Sequence, residues 1–181
     1  MKIGLVRHFK VKKGFPSKGW LTRDELVQWF KEYDEADIEP VATDLQAIAW
    51  KSCHASDMPR ALRTAELLYH GEIRATAKLR EIPLPRFRRN WRLPFLLWAI
   101  AVRLSPYLDP KVKEEIKQTK ERINHVLDDI LLQGEEEMLL VSHAGLMMLM
   151  RQELLKRGFR GPRFRTPENG KLYVYEKRPQ A

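Results

Sequence analysis

The sequence predicts an α/β fold: a three-layer α/β/α sandwich around a mostly parallel sheet. Short apolar runs at residues 2–6, 49–54, 73–79, 138–142 and 172–175 read as strands. Stretches with apolar residues at helical spacing alternate with them. One chain that alternates the two kinds of element builds a sheet covered on both faces.

Taken in order, Lys2–Val6 is a buried strand, and Lys10–Gly19 is a basic loop with Gly14, Pro16 and Gly19 as turn residues. Thr22 and Glu25 form a capping box ahead of Leu26, Trp29, Phe30 and Tyr33, so a helix runs to about Ala36. A second helix is expected over Thr43–Ile48, then a strand at Ala49–His54. Pro59 opens the next helix, whose apolar face is Ala61, Leu62, Ala65, Leu68 and Tyr69. A strand is expected at Ile73–Leu79. After Pro110, the recurrence of Val112, Ile116, Ile123, Leu127 and Ile130 marks a long helix ending near Gly134. Met138–Ser142 is another strand, Leu146–Leu154 a helix stopped near Gly158, and Leu172–Tyr175 the last strand.

The 181 residues fit one domain, 1–181, interrupted by a basic and apolar insertion at about 86–108. Cys53 is the only cysteine, which excludes an intrachain disulfide and a cysteine-rich zinc site. The N-terminal MKIGLVRHFK lacks the long apolar region of a signal peptide, so a cytoplasmic location is expected. The formal charge of +9 is not spread evenly. Residues 82–108 hold five arginines and no acid, and residues 151–181 hold nine basic and three acidic residues. Such blocks attract phosphorylated small molecules, nucleic acid or an acidic membrane surface, or serve only solubility.

In an open α/β sheet, ligands bind beyond the carboxyl ends of the strands. Arg7 and His8 follow the first strand, Ser56 and Arg60 the second, Glu81 the third and His143 the fourth. Arginines grip phosphate oxygens through planar forks, and a neutral imidazole can attack phosphorus. A carboxylic acid can protonate the leaving oxygen and then activate water. Each residue also has a plainer reading. Ser56 with Asp57 can cap the helix at Pro59, Arg60 and Arg63 can be surface charges, and either histidine can be structural. His54 and His70 are read as structural, and His125 as half-exposed on the long helix.

The four segments together resemble a known family. Leu5-Val6-Arg7-His8 is similar to the N-terminal Arg-His signature of the histidine phosphatase superfamily, the phosphoglycerate-mutase-like group. Ser56-Asp57-Met58-Pro59-Arg60-Ala61-Leu62-Arg63-Thr64-Ala65 resembles its second motif, Leu79-Arg80-Glu81 its acid/base segment, and Val141-Ser142-His143-Ala144-Gly145 its last motif. The resemblance spans about residues 1–157 and implies a phosphoglycerate-mutase-like fold. It also implies phosphoryl transfer to His8 with no metal or other cofactor. Arg7, Arg60, Ser56 and His143 would bind the phosphoryl group, and Glu81 would be acid, then base. Neighbouring arginine charge is expected to keep His8 neutral, with its second ring nitrogen donating to a backbone carbonyl.

Two departures stand out. Phe9 replaces the family's usual Gly, so the loop turns differently or Phe9 lines the pocket. An Asn that many mutase-like members carry in the following loop is missing, leaving Lys10, Lys12, Lys13 or Ser17 as substitutes. This favours a phosphatase acting on a phosphorylated small molecule. The alternatives are a phosphoglycerate-type mutase, or a degenerate, basic binding protein targeted to an anionic surface. Nucleic acid is disfavoured, because no stacking platform or reading helix is visible. The insertion has two readings. Phe95–Ala101 is a lid helix, or residues 91–104 contact a membrane peripherally, with Trp91, Phe95 and Trp98 entering lipid beside the arginines.

Overall fold

A computed structural model describes residues 1–16 and 19–177. The elements in chain order are β1 (Lys2–Arg7), β2 (Lys10–Val11), β3 (Trp20–Leu21), α1 (Arg23–Glu35), β4 (Ile38–Glu39), β5 (Ser52–Ser56), α2 (Pro59–Leu68), β6 (Ile73–Thr76), β7 (Leu93–Pro94), α3 (Phe95–Leu108), α4 (Pro110–Leu132), β8 (Glu137–Ser142), α5 (Ala144–Lys156) and β9 (Leu172–Glu176). Five strands form one sheet in the order β6-β5-β8-β1-β9. All neighbours are parallel except β9, which runs antiparallel at one edge. The architecture is the expected α/β/α sandwich.

The pleat divides the core in two. Met138 and Leu140 of β8 pack with Ile123 and Leu127 of α4 and Met147 and Met150 of α5. Leu139 and Val141 point the other way, onto Ala61 and Ala65 of α2. A third cluster, Leu21, Leu26 and Trp98 with Phe30 and Phe87, joins α1 to the insertion. The capping box at Thr22 and Glu25 is present, and Pro59 sits in the first turn of α2.

Several expected elements differ. Residues 43–48 are not helical: Gln46 and Ala47 adopt left-handed backbone, and Asp44 Oδ1 accepts from Gln46 N at 2.7 Å. That side chain offers the backbone a local alternative to a helical turn. The second strand begins later, because pairing with β8 starts at Ser52 opposite Met138. The third strand ends at Thr76, whose hydroxyl accepts from Lys78 N and caps a single 3-10 turn, Ala77–Leu79. Two short antiparallel pairs, β2 with β4 and β3 with β7, had no sequence signal. His125 is exposed rather than half-exposed.

The insertion contains one helix, α3, longer than the apolar run. Pro106 lies inside it and cannot donate to the Val102 carbonyl; the Ser105 hydroxyl does so instead, at 2.7 Å. Trp98 is 2% exposed and its indole N–H donates to the Leu21 carbonyl at 2.8 Å. Phe95 packs edge-on to Trp29. Trp98 and Phe95 are therefore packed inward and unavailable to lipid; of the three aromatics named for that reading, Trp91 alone is exposed. Leu96, Leu97, Ile100, Leu104 and Leu108 form the exposed side. Among the described residues no helix is long and apolar enough to cross a membrane.

Trp98→Ala is expected to lower the free energy of urea unfolding by about 3–5 kcal/mol. Leu96→Ala, on the exposed side, should change it by less than about 0.5 kcal/mol. Similar values for the two would mean that Trp98 does not anchor the helix.

Candidate active site

Parallel pairing brings the ends of β1 and β8 level, with Arg7 opposite Ser142. The next residues, His8 and His143, then lie with ring centroids 5.2 Å apart. His8 N donates to the Ser142 carbonyl at 2.9 Å, which extends the ladder by one residue. Asn169 Nδ2 donates to the His8 carbonyl at 2.7 Å. Phe9 N donates to Thr64 Oγ1 at 2.9 Å, and that hydroxyl donates to the Arg60 carbonyl at 2.7 Å. Thr64 thus ties the histidine loop to the first turns of α2.

The imidazole of His8 is buried and close to the Phe9 carbonyl, 2.6 Å from Nδ1. A carbonyl only accepts, so Nδ1 carries the proton and Nε2 keeps its lone pair. Arg60 Nε donates to that Nε2 at 3.2 Å. Arg60 is itself buried; its Nη1 pairs with Asp34 Oδ1 at 2.6 Å, and its guanidinium lies 5.4 Å from the Tyr33 ring centroid. Arg7 Nη1 donates to the Pro167 carbonyl at 3.0 Å, while Arg7 Nε is buried with no partner among the described residues.

Ser56 does not provide the N-cap of α2. Met58 holds that position without a side-chain cap bond, since Pro59 supplies the fixed backbone angle. The Ser56 hydroxyl accepts from Met58 N at 3.3 Å and lies 2.9 Å from His143 Nε2. A Ser56 hydroxyl that donates to Nε2 would leave Nδ1 of His143 protonated; Nδ1 is buried and unpartnered among the described residues. Glu81 lies at the N-terminus of α5. Its Oε2 accepts from Gly145 N, and its Oε1 accepts from Leu146 N and Ile82 N, all within 2.9–3.0 Å. A Cβ at Gly145 would lie 2.8 Å from Glu81 Oε1, so glycine there makes the approach feasible.

Arg7, His8, Arg60 and Glu81 line one pocket of about 950 Å³; Ser56 and His143 are fully buried and do not line it, although the His143 ring is next to that of His8. Arg60 and Arg7 both act electrostatically on His143. Phe9 is absent from the pocket wall. It is buried, without a left-handed backbone, and its ring fills the space beside Gly170, where a Cβ would come within 2.7 Å. Lys10 and Lys13 border the pocket but pair with Glu39 and Glu32. Lys12 is exposed and does not line the pocket, and Ser17 lies outside the described residues. Among the described residues no group of three or more His, Cys, Asp or Glu side chains could hold a metal ion. Arg63 is an exposed partner of Asp37, as the plainer reading had it. Cys53 is buried, and burial pushes its thiol up to about 12, away from nucleophilic use.

A family model described as the histidine phosphatase superfamily (branch 1) matches residues 31–180. The chain belongs to this superfamily. The fold is similar to that of a phosphoserine phosphatase from Entamoeba histolytica, solved with 3-phosphoglyceric acid, at 16% identity and TM-score 0.56, covering 96% of this chain and 89% of that one. It is also similar to the alpha-ribazole phosphatase of Shigella flexneri, at 16% identity and TM-score 0.54, covering 96% and 89%. A mycobacterial glucosyl-3-phosphoglycerate phosphatase gives 17% identity and TM-score 0.51, covering 86% and 79%. At these identities the likeness is one of fold. Among curated proteins none matches the chain.

In this histidine phosphatase chain, burial controls both histidines more than neighbouring arginine does. Desolvation, then Arg60, pushes His8 down to about 3; the Phe9 carbonyl opposes them, and Arg7 adds a still smaller lowering. His143 is pushed down to about 2 by burial, then by Arg60, His8, Arg7 and Arg122. Both are neutral near pH 7. The sequence reading named arginine charge alone, because burial is not visible in a motif. It also missed Asp34, Tyr33 and Asn169. Asp34 and Tyr33 sit at the end of α1, which carries no family signature, and Asn169 reaches His8 from 161 positions away. Arg122 was read only as part of a helix. It donates to the carbonyls of Ala77 and Arg80 and so holds the turn that delivers Glu81.

These depressed values couple stability to pH. The unfolded chain binds protons on both histidines below about pH 6.5, and the folded chain does not until far lower. Stability is therefore full above about pH 6.5 and falls as the solution is acidified. Each histidine removes about 2 kcal/mol between pH 6.5 and pH 4.5. Chemical denaturation of His143→Gln should show about 2 kcal/mol less acid destabilisation over that interval than the parent. An unchanged pH dependence would show that His143 is charged in the folded state.

Proposed function

We propose that the protein is a metal-independent phosphatase that hydrolyses a phosphomonoester through a phosphohistidine at His8. The observation that carries this reading is the state of His8: its Nδ1 proton is directed to the Phe9 carbonyl, its Nε2 is the unprotonated nitrogen and accepts from Arg60 Nε, and Arg7 and Arg60 adjoin it in the pocket. Nε2 attacks phosphorus as the ester P–O bond breaks. Arg7, Arg60 and the Nδ1–H of His143 donate to the equatorial oxygens, where negative charge develops. Ser56 holds His143 in the tautomer that can do so.

Glu81 delivers a proton to the leaving alkoxide. Its Oε2 accepts a single N–H whereas Oε1 accepts two, so Oε2 is the oxygen with room for that proton. The alcohol departs, and the Glu81 carboxylate takes a proton from water as the water oxygen attacks the phosphohistidine. The N–P bond breaks, inorganic phosphate leaves, and His8 returns neutral. A neutral, buried imidazole suits the first step, because the nucleophile needs no deprotonation. The insertion, through α3, serves as the cover of the pocket, with Phe95, Val102 and Pro106 on its inner side. The domain is accordingly read as one catalytic unit with a fixed cap.

Turnover of p-nitrophenyl phosphate should persist in excess EDTA and fall at least about 10³-fold in His8→Ala. Glu81→Gln should lower turnover of an alkyl phosphate by about 10²-fold or more, and of the nitrophenyl ester by far less. Activity retained without His8 refutes the nucleophile, and equal losses in Glu81→Gln refute the acid.

A further inference from the structure

The pocket is much larger than a phosphoryl group requires, and its outer part is apolar. A chain of rings leads away from Arg60. The Tyr33 ring lies 5.4 Å from the Arg60 guanidinium, Trp29 stacks on Tyr33 at 5.3 Å, and Phe95 meets Trp29 at 5.4 Å. Phe30, Leu84 and Val102 complete this wall. The Trp29 indole N–H is already donated to the Gly14 carbonyl, which leaves only ring faces for a ligand. The cations at the rim are mostly engaged: Lys10 with Glu39, Lys13 with Glu32, and Arg80 bidentately with Asp57. Of the five arginines in the insertion, only Arg103 borders the pocket. A wall of this kind offers little to the hydroxyls of a sugar or to a second carboxylate. It suits apolar surface, in a volume typical of sites for drug-sized ligands.

We infer that the substrate is the phosphomonoester of a bulky apolar or aromatic alcohol, whose leaving group lies along Tyr33, Trp29 and Phe95. This inference rests on the phosphatase reading for the chemistry but is testable without turnover. The probes are n-alkyl phosphonates from ethyl to octyl, titrated calorimetrically into the full chain. Their headgroup is constant, and they cannot be hydrolysed. Affinity should rise about three- to fourfold per methylene, the value for burying one CH₂. Trp29→Ala and Phe95→Ala should each reduce that increment. An increment in the parent chain that both substitutions reduce sustains the apolar site even if no phosphomonoester is turned over, and one that neither reduces overturns it. Affinity that does not change with chain length overturns it, whether or not p-nitrophenyl phosphate is hydrolysed. Tighter binding of glycerol 3-phosphate than of octyl phosphonate also overturns it.

The opposite side of α3 faces solvent and is apolar as well. Leu96 and Leu108 are 68% and 76% exposed, and Leu97, Ile100 and Leu104 lie between them on the same side. Arg86, Arg88, Arg89 and Arg92, in the segment that leads into α3, are exposed, and no acid occurs in residues 82–108. A partner that is apolar within and anionic at its surface complements both features. We propose that α3 seats the protein on an anionic membrane surface. Co-flotation with phosphatidylcholine vesicles should rise about tenfold or more when phosphatidylserine is included. The double substitution Leu97→Glu with Ile100→Glu should abolish it without moving the urea midpoint. No co-flotation overturns the proposal. So does a dimer, seen by light scattering, that the same double variant dissociates.

Discussion

The parallel pairing of β1 with β8 is the constraint on which the site depends. It sets Arg7 opposite Ser142, and the two strands end together, so the next residue of each is a histidine at the same height. A shift of one residue would turn one imidazole to the opposite face of the sheet, because side chains alternate along a strand. The hydrophobic pattern resists such a shift. Met138 and Leu140 have to meet α4 and α5, while Leu139 and Val141 have to meet α2. The same packing that stabilises the core therefore aligns the catalytic candidates. Thr64, Asn169 and Arg122 then lock the loops leaving the sheet, each through bonds to backbone groups.

Burying two imidazoles and a guanidinium in one place is costly unless the charges are limited. The structure meets this by keeping both histidines neutral and by matching Arg60 with Asp34. The arrangement carries a positive bias without a crowd of protonated groups. Arg7 Nε and His143 Nδ1 are buried without a partner among the described residues, which is where the proposed mechanism seats the phosphoryl oxygens.

The insertion shows how one helix can serve two environments. Trp98 and Phe95 hold it inward, against Leu21 and Trp29 respectively. Its leucines on the other side are left to solvent. The apolar run at 95–101 announced a helix but could not say which of its residues point in, because the run is apolar on all sides. For the same reason the sequence left open whether Trp98 is packed inward or available to lipid, and the structure packs it inward. The turn at 43–48 was misread because Asp44 and two left-handed residues override a weak helical pattern. Asp34, Tyr33 and Asn169 carried no signal, since long-range contacts leave no local spacing to find.

The amino-acid order alone determined the alternating elements, the family, and the strand-end positions of Arg7, His8, Ser56, Arg60, Glu81 and His143. Those features are local: apolar period, turn residues and short motifs record them directly. Only the tertiary structure decided that the histidines are neutral, that Asp34 balances Arg60, and that Phe9 leaves the pocket for the space beside Gly170. It also decided that aromatic side chains from α1 and α3 form a single wall. Burial and the meeting of distant segments depend on how all the elements pack, and no window of sequence contains that information.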